Sequence, residues 1–552
     1  MGPDIPELHR RVARLLVVRA SGHLSDGQRR YPRWELNNGQ LQRLLAGGVG
    51  GVILLGGSAV ELRQRTRQLS AWATGPLLLC ADVEEGVGQR FEGASWLVPP
   101  LALGRLHGRD PAAATALARR YGSCTAREAR ALGLNWVLAP VCDVNNNPAN
   151  PVINVRAWGE EPATVSALAC AFLEGVQAEG VLACAKHFPG HGDTSGDSHL
   201  ELPLLPHDRD RLDAIELPPF RAAIRAGVAS VMTAHLMLPA LDPRRPATLS
   251  PAVLTDLLRR DLGFGGLVVT DALVMEAIAA HHGPGEAAVL ALEAGADLVL
   301  MPADADGAIA AIVAAVQTGR LSWPRLMASL ERRQRALDSV ASPADGPAAT
   351  ASAPLAGLSN GPEAMDRQLA MELVRTSLVA GGGPLPTGGG TNLVRVDSLL
   401  PSCPILPAGA PALELPGALG FRPLLVESRS PSPWSQDPLA PLALERLGPG
   451  PVLLQLFIRG NPFRGSAGAQ EPWQAAVLQL LAADRLAGLA VYGSPYLWDS
   501  LRPLLPDGLA AGWSPGQMPL AQRELLTALG CGQARARASN EADADAARGF
   551  TD

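Results

Sequence analysis

One pattern recurs through residues 1–340 and limits the folds open to this chain. A short apolar run ends in polar or glycine-rich residues, and an Ala/Leu/Arg-rich amphipathic stretch follows. The runs occupy 51–55, 77–81, 136–139, 181–185, 229–233, 266–270 and 297–301. They show little polar/apolar alternation, as expected of strands buried on both faces of a parallel sheet. Helical patterns lie between them at 111–132, 164–179, 212–226, 251–261 and 285–294, and Ser250 before Pro251 reads as a helix start. Strand–helix units repeated over this length predict a closed barrel rather than a short open sheet.

Beyond residue 340 the pattern changes. Residues 341–363 are rich in Ala, Pro, Ser and Gly and read as a linker. Apolar strands recur at 393–396, 424–427, 452–458 and 488–492, with helices expected at 472–483 and 519–529. The tail 532–552 has no periodicity and is expected to be disordered. The expected fold is α/β: an N-terminal (β/α)8 TIM-type barrel over 1–340, and a smaller C-terminal α/β sandwich-like domain over 364–531.

Composition removes several functional classes. A formal charge of -6 does not suit electrostatic nucleic-acid binding. No apolar run is long enough for a membrane span. The seven cysteines are widely spaced with no C-x-x-C, so reduced thiols are expected rather than a disulfide framework or a zinc knuckle. The start, Met1 to Glu7, lacks signal-peptide character, and the expected location is cytoplasmic.

In a barrel of this kind the chemistry gathers at the C-terminal ends of the strands. Those ends read Asp82-Val83-Glu84-Glu85, Asp143-Val144-Asn145, Lys186-His187, His235 and Asp271. Lys186 is the single lysine of the chain, and no histidine follows His282. The stretch from Lys186 to His199 holds three histidines, two aspartates and three glycines. Three readings are open for it. Its histidines and aspartates could bind a metal, although their spacing matches no familiar ligand pattern. Its side chains could bond their own backbone. Or Asp197 and His199, two apart in an extended loop, could share a side, so that the carboxylate orients an imidazole for acid–base work. Asp271, after a fully apolar strand, reads as a nucleophile, a base, a metal ligand or a helix N-cap.

The motifs together resemble a known family. Lys186-His187-Phe188-Pro189-Gly190-His191-Gly192-Asp193-Thr194, then Asp197-Ser198-His199 and Leu202-Pro203, resemble the signature of the β-N-acetylhexosaminidase (NagZ-like) branch of glycoside hydrolase family 3. Thr270-Asp271-Ala272-Leu273-Val274-Met275 resembles that family's nucleophile segment. Asp143 to Asn147, with Asn150 to Ile153 and Val155 to Glu160, resembles its Asn-rich sugar loop. Asp82 to Gly86, through Gln89-Arg90-Phe91, resembles a further sugar-binding segment, with Glu85 where the family usually has glycine and Gly88 where it often has valine. In the second half, Arg459-Gly460-Asn461-Pro462-Phe463 and Gly493-Ser494-Pro495-Tyr496 resemble the family's second domain loosely.

The resemblance implies retaining hydrolysis of terminal β-linked N-acetylglucosamine. Asp271 would be the nucleophile and His199 the acid–base, oriented by Asp197. Asp82, Arg90, Arg156, Lys186 and His187 would bind the sugar, and His191 and Asp193 would be loop structure. The loop glycines would let the loop close over the sugar. No metal or cofactor is implied. The expected partner is a small carbohydrate, such as a peptidoglycan fragment in cell-wall recycling. The same barrel could serve a phosphorylase, a glucosidase or a non-catalytic sugar binder.

Overall fold

The apolar runs become the staves of a closed barrel. The strands are β1 (Leu16–Ala20), β2 (Gly51–Leu54), β3 (Leu78–Ala81), β4 (Trp136–Val137), β5 (Cys184–Phe188), β6 (Ser230–Thr233), β7 (Leu267–Val269) and β8 (Val299–Leu300). In the computed structural model β1 pairs in parallel with β2 and β8, and β3 pairs with β2 and β4. A second run joins β5 to β6 and β6 to β7. Parallel bridges Trp136–Leu182 and Val141–Lys186 connect β4 to β5, and Val269–Leu298 connects β7 to β8. The ring is therefore continuous, with the strands in chain order. The residues described are 4–198, 201–340, 363–397, 405–407, 409–427, 434–437, 440–459 and 471–531. Five features named from the sequence fall wholly or largely outside them: His199, the linker over 341–363 except its last residue, Cys403, the stretch 460–463 and the tail 532–552.

Every residue of these eight strands is buried, which accounts for the missing alternation. β1 is the strand absent from the apolar runs, because Arg19 interrupts it. That guanidinium finds a local acceptor in the Pro302 carbonyl, to which it donates at 2.7 Å. The helix Pro111–Ala131 starts on Asp110, whose carboxylate accepts from the Ala113 N–H at 3.0 Å. It crosses the helix Pro162–Ala178 at very short range. A Cβ on Gly122 would lie 2.1 Å from the Phe172 carbonyl, and one on Gly175 would lie 2.1 Å from that of Arg119. Tyr121 packs edge-on against Trp158 and Phe172, with centroids 5.5 and 5.9 Å away. Its hydroxyl donates to the Val98 carbonyl at 2.7 Å, so the aromatic cluster supports the loop after β3. Ser250 starts its helix as expected, accepting from the Val253 N–H at 3.3 Å.

The chain divides into two compact units between Ala370 and Met371. The second holds β9 (Val379–Gly381), β10 (Gly390–Val396), β11 (Phe421–Glu427), β12 (Val452–Ile458), β13 (Leu486–Gly493) and β14 (Ala510–Ser514). Their order across the sheet is β9-β14-β13-β12-β10-β11, with β9 antiparallel to β14 and the others parallel. Leu454 and Leu456 of β12 pack with Trp473, Val477 and Leu480 on one face. Gln455, between them, points to the other face and donates to the Ala412 carbonyl at 2.7 Å. Helices thus cover both faces of the sheet, an α/β sandwich. Among the described residues no helix is long and apolar enough to cross a membrane.

Candidate active site

The ends of strands β3 to β7 supply the polar groups at the C-terminal mouth of the barrel. Asp82 and Glu84 follow β3 two residues apart, the spacing that puts extended side chains on one side. Lys186 of β5 reaches both: its Nζ lies 2.7 Å from Asp82 Oδ1 and 2.6 Å from Glu84 Oε1. Arg156, from the turn Asn154–Arg156 after β4, grips Glu84 with two nitrogens, Nε to Oε2 and Nη2 to Oε1, each at 2.8 Å. Burial pushes the Glu84 carboxyl up, but the Arg156 and Lys186 cations outweigh it and hold that group well below the carboxylate range. Burial likewise opposes charge on Lys186, and the Asp82 and Glu84 carboxylates reverse that, raising its pKa. Only 1% of the Lys186 side chain is exposed, and its ammonium is paired with both carboxylates. The Asp82 side chain is 29% exposed and is the part of this cluster that meets solvent. Arg90 donates from Nε to the Asp82 carbonyl at 3.1 Å and shapes the same turn.

Asp143, after β4, organises the next sector. Its carboxylate accepts from the His187 backbone N–H at 3.1 and 3.2 Å, from the His191 N–H at 2.8 Å, and faces His187 Nδ1 at 2.8 Å. Burial raises this carboxyl, yet the His187 ring and the N–H groups prevail and its pKa is lowered. An ionised Asp143 fixes the proton on His187 Nδ1 and leaves Nε2 uncommitted to it. Asn150 ties the two loops together. Its carbonyl accepts from the Val152 and Ile153 N–H groups at 2.8 Å, and its amide donates to the His191 and Gly192 carbonyls at 2.9 Å.

Asp271 follows β7 and is half-buried, accepting the Ala272 N–H at 2.8 Å. The next helix begins at Glu276 with Met275 as its N-cap, so the helix-cap reading of Asp271 does not hold. His235, after β6, has Nε2 3.1 Å from the Ala272 carbonyl and Nδ1 2.8 Å from Thr248 Oγ1, which fixes the backbone beside Asp271. Asp197 is buried at 4% exposure.

Two of the loop glycines are also required by the packing of the loop. A Cβ on Gly192 would lie 1.8 Å from the Val144 carbonyl, and one on Gly190, at φ +134°, would lie 2.7 Å from Glu216 Cβ. Here glycine permits close packing of the loop on its neighbours. Glu85 needs no such freedom, because its φ is not positive; the left-handed position falls on Gly86, at φ +79°. The Glu85 carboxylate is buried and accepts from Trp96 Nε1 at 3.0 Å. Sequence reasoning places Glu84 and Asp143 within sugar-binding segments without singling either out, and it passes over Arg211. The first two carry a signal, namely position at a strand end; Arg211 sits on a helix and carries none. Arg211 Nη2 donates to Asp193 Oδ2 at 3.2 Å and Glu216 Oε1 at 3.3 Å. Asp193, His207 and Glu216 bring ligand atoms within 4.8 Å of one another, but a cation there would have to displace that guanidinium.

Comparison with known proteins supplies the family. Residues 7–336 match the Glycosyl hydrolase family 3 N terminal domain, and 386–530 match the Bacterial Glycosyl hydrolase family 3 C-terminal domain. The chain is 38% identical over 280 residues to a beta-hexosaminidase A of Pseudoalteromonas piscicida, covering 47% of this chain and 46% of that protein. The match thus spans under half of that relative. It is also 38% identical over 297 residues to a beta-hexosaminidase of Stenotrophomonas maltophilia strain K279a, covering 51% of this chain and 88% of the relative. The structure of a family 3 beta-N-acetylglucosaminidase from Paenibacillus sp. str. FPU-7 superposes with a TM-score of 0.75 and 30% identity, over 95% of this chain and 97% of that one. With both of its domains matched, this chain belongs to glycoside hydrolase family 3.

Proposed function

We propose that the barrel is a retaining β-N-acetylglucosaminidase. The observation that carries the reading is the half-buried Asp271 at one strand end of a mouth whose other strand ends hold a pre-paired bed of Asp82, Glu84, Lys186 and Arg156. Asp271 attacks the anomeric carbon as the glycosidic bond breaks. His199, oriented by Asp197, gives its proton to the leaving oxygen, and a covalent glycosyl-enzyme results. His199 then takes a proton from water, which attacks the same carbon and frees Asp271. His187, held by Asp143, and the exposed edge of Asp82 bind sugar hydroxyls. Lys186 and Arg156 keep Asp82 and Glu84 ionised, and with Arg90, which holds the Asp82 turn, they complete the sugar-binding bed.

The beta-hexosaminidase relatives support the choice of an acetamido sugar. Peptidoglycan fragments are the proposed source of that sugar. The described cysteines are all free thiols, which supports a reducing, cytoplasmic setting.

The test is release of nitrophenol from the β-N-acetylglucosaminide and the β-glucoside side by side, without added metal. Turnover of the acetamido sugar is expected, and preference for the glucoside would overturn the assignment. His199→Ala should cost about 10²–10⁴-fold on an alkyl glycoside and far less on an activated aryl one. Equal losses on both would remove His199 from the acid role. Sugar 1-phosphate appearing only with added phosphate would make the enzyme a phosphorylase.

A further inference from the structure

The segment from His191 to Ser198 closes on itself through one imidazole. His191 is 1% exposed, with Nδ1 2.6 Å from Thr194 Oγ1 and Nε2 3.1 Å from Ser198 Oγ. The proton positions follow from the neighbours. Thr194 Oγ1 donates to the His191 carbonyl at 3.1 Å, so that hydroxyl has no proton left for the ring. His191 Nδ1 is therefore the donor to Thr194. A neutral ring then has a bare Nε2, and the Ser198 hydroxyl must donate to it. Neutrality is secured by burial, which pushes the ring's pKa down to about 4.

Two further contacts place this ring between the sugar-binding and acid–base sectors. The His191 backbone N–H donates to Asp143, the carboxylate that holds His187. The Asn150 amide donates to the His191 carbonyl at 2.9 Å. The near end of the segment is thus anchored to the barrel, and the imidazole transmits that anchor to the far end. Ser198, 2% exposed, follows Asp197 directly in the chain.

We infer that His191 is a positioning residue for the acid–base chemistry: acting through the Ser198 hydroxyl, it fixes the backbone that carries Asp197. The inference rests on the assignment of Asp197 and His199 as the acid–base pair. His191 itself touches neither sugar nor reacting atoms. Its loss should lower kcat where proton donation limits the rate and leave KM unchanged.

The geometry allows a test with built-in controls. A glutamine amide oxygen reaches the place of Nε2 and can accept from Ser198, whereas an asparagine amide reaches only the place of Nδ1. On an alkyl β-N-acetylglucosaminide, His191→Ala, H191N and Ser198→Ala should each lose about 10–100-fold in kcat, a fraction of what deletion of an acid–base group costs. On the nitrophenyl glycoside the loss should be under about threefold, since that leaving group needs little protonation. His191→Gln should restore most of the alkyl activity. Thermal melting of each variant runs alongside. If H191A does not fold, S198A, which removes one oxygen, carries the test.

Equal losses on both substrates, a raised KM in place of a lowered kcat, or H191Q no better than H191N would overturn the inference. A failure of the underlying assignment has a different signature. His199→Ala would then fail to discriminate between leaving groups in an otherwise active enzyme, or the wild type would turn over neither substrate; either result would overturn this inference with it.

Discussion

The two ends of the barrel treat buried charge in opposite ways. At the N-terminal end one carboxylate is surrounded by cations. Asp297 is fully buried, and Arg325 Nη1 and Arg332 Nη1 approach its Oδ1 at 3.4 and 3.0 Å, with Arg259 against Oδ2. The Ser329 hydroxyl and the Val268 N–H complete its hydrogen bonds at 2.7 and 3.0 Å. At the C-terminal end carboxylates outnumber cations. Asp82 and Glu84 pair with Lys186, Glu84 also with Arg156, and Asp143 with His187, while the Asp82 edge and Asp271 stay in reach of solvent. The ion cluster around Asp297 holds strands β7 and β8 to the closing helix Trp323–Ser339, whereas Asp82 and Asp271 at the mouth lie partly exposed. With the proposed function, stability belongs to one end and chemistry to the other, and the division can be broken at either.

The largest effect is expected at the mouth. Asp271→Ala should reduce turnover by at least about 10⁴-fold, the scale of removing a nucleophile that no neighbour replaces. Its denaturation midpoint should stay close to that of the wild type, because Asp271 lies outside the helix beyond, whose N-cap position is Met275. A clear drop in stability would mean that the mouth, too, is structural. The next effect belongs to the other end. Asp297→Asn leaves three guanidinium groups around a neutral amide and should cost about 3–5 kcal/mol of folding free energy. Urea titration reads that loss directly. Assayed well below its midpoint, the variant should keep kcat/KM within about threefold of wild type, as expected where no contact to the reacting groups is lost. A large catalytic defect in a stable D297N protein would erase the division.

The same contrast explains which features are legible in the sequence. Strands buried on both faces leave an unbroken apolar run, and seven of the eight staves show one. β1 does not, because Arg19 lies within it and is tolerated only through the Pro302 carbonyl, a partner 283 residues away. In the second unit β9 is a fully exposed edge strand of Val379, Ala380 and Gly381, with no hydrophobic face to announce it. At the mouth, residues that stand out by type are legible: the single lysine, the clustered histidines and the strand-end aspartates. Partnerships are not. Nothing local links Glu84 to Arg156 or Asp143 to His187, which are 72 and 44 residues apart. Arg211 looks like any arginine on a solvated helix face, and its reach to Asp193 exists only after the β5 loop folds back.

The smallest expected effect sharpens the comparison most, because it separates an ion pair's stability from its use in binding. The Lys186 and Arg156 cations hold the folded-state pKa of Glu84 below its ordinary value of 4.5. The stabilisation from these pairs is therefore complete above that value and is lost as the pH falls through the lower folded value, where the carboxyl takes up its proton. Asp143 acts in the same direction through His187. Glu84→Gln should thus be less stable than wild type at pH 7, with the difference shrinking steadily on acidification and lying mostly below pH 4.5. Unfolding free energies measured by urea at several pH values trace this convergence. Curves that stay parallel down to acid would show that Glu84 contributes by shape and not by charge. In that case the bed under the sugar would be held by packing, and Lys186 could be replaced by a neutral side chain at little cost to stability. Convergence together with a raised KM at pH 7 would instead make Glu84 the residue through which the mouth's charge balance is passed to the bound sugar.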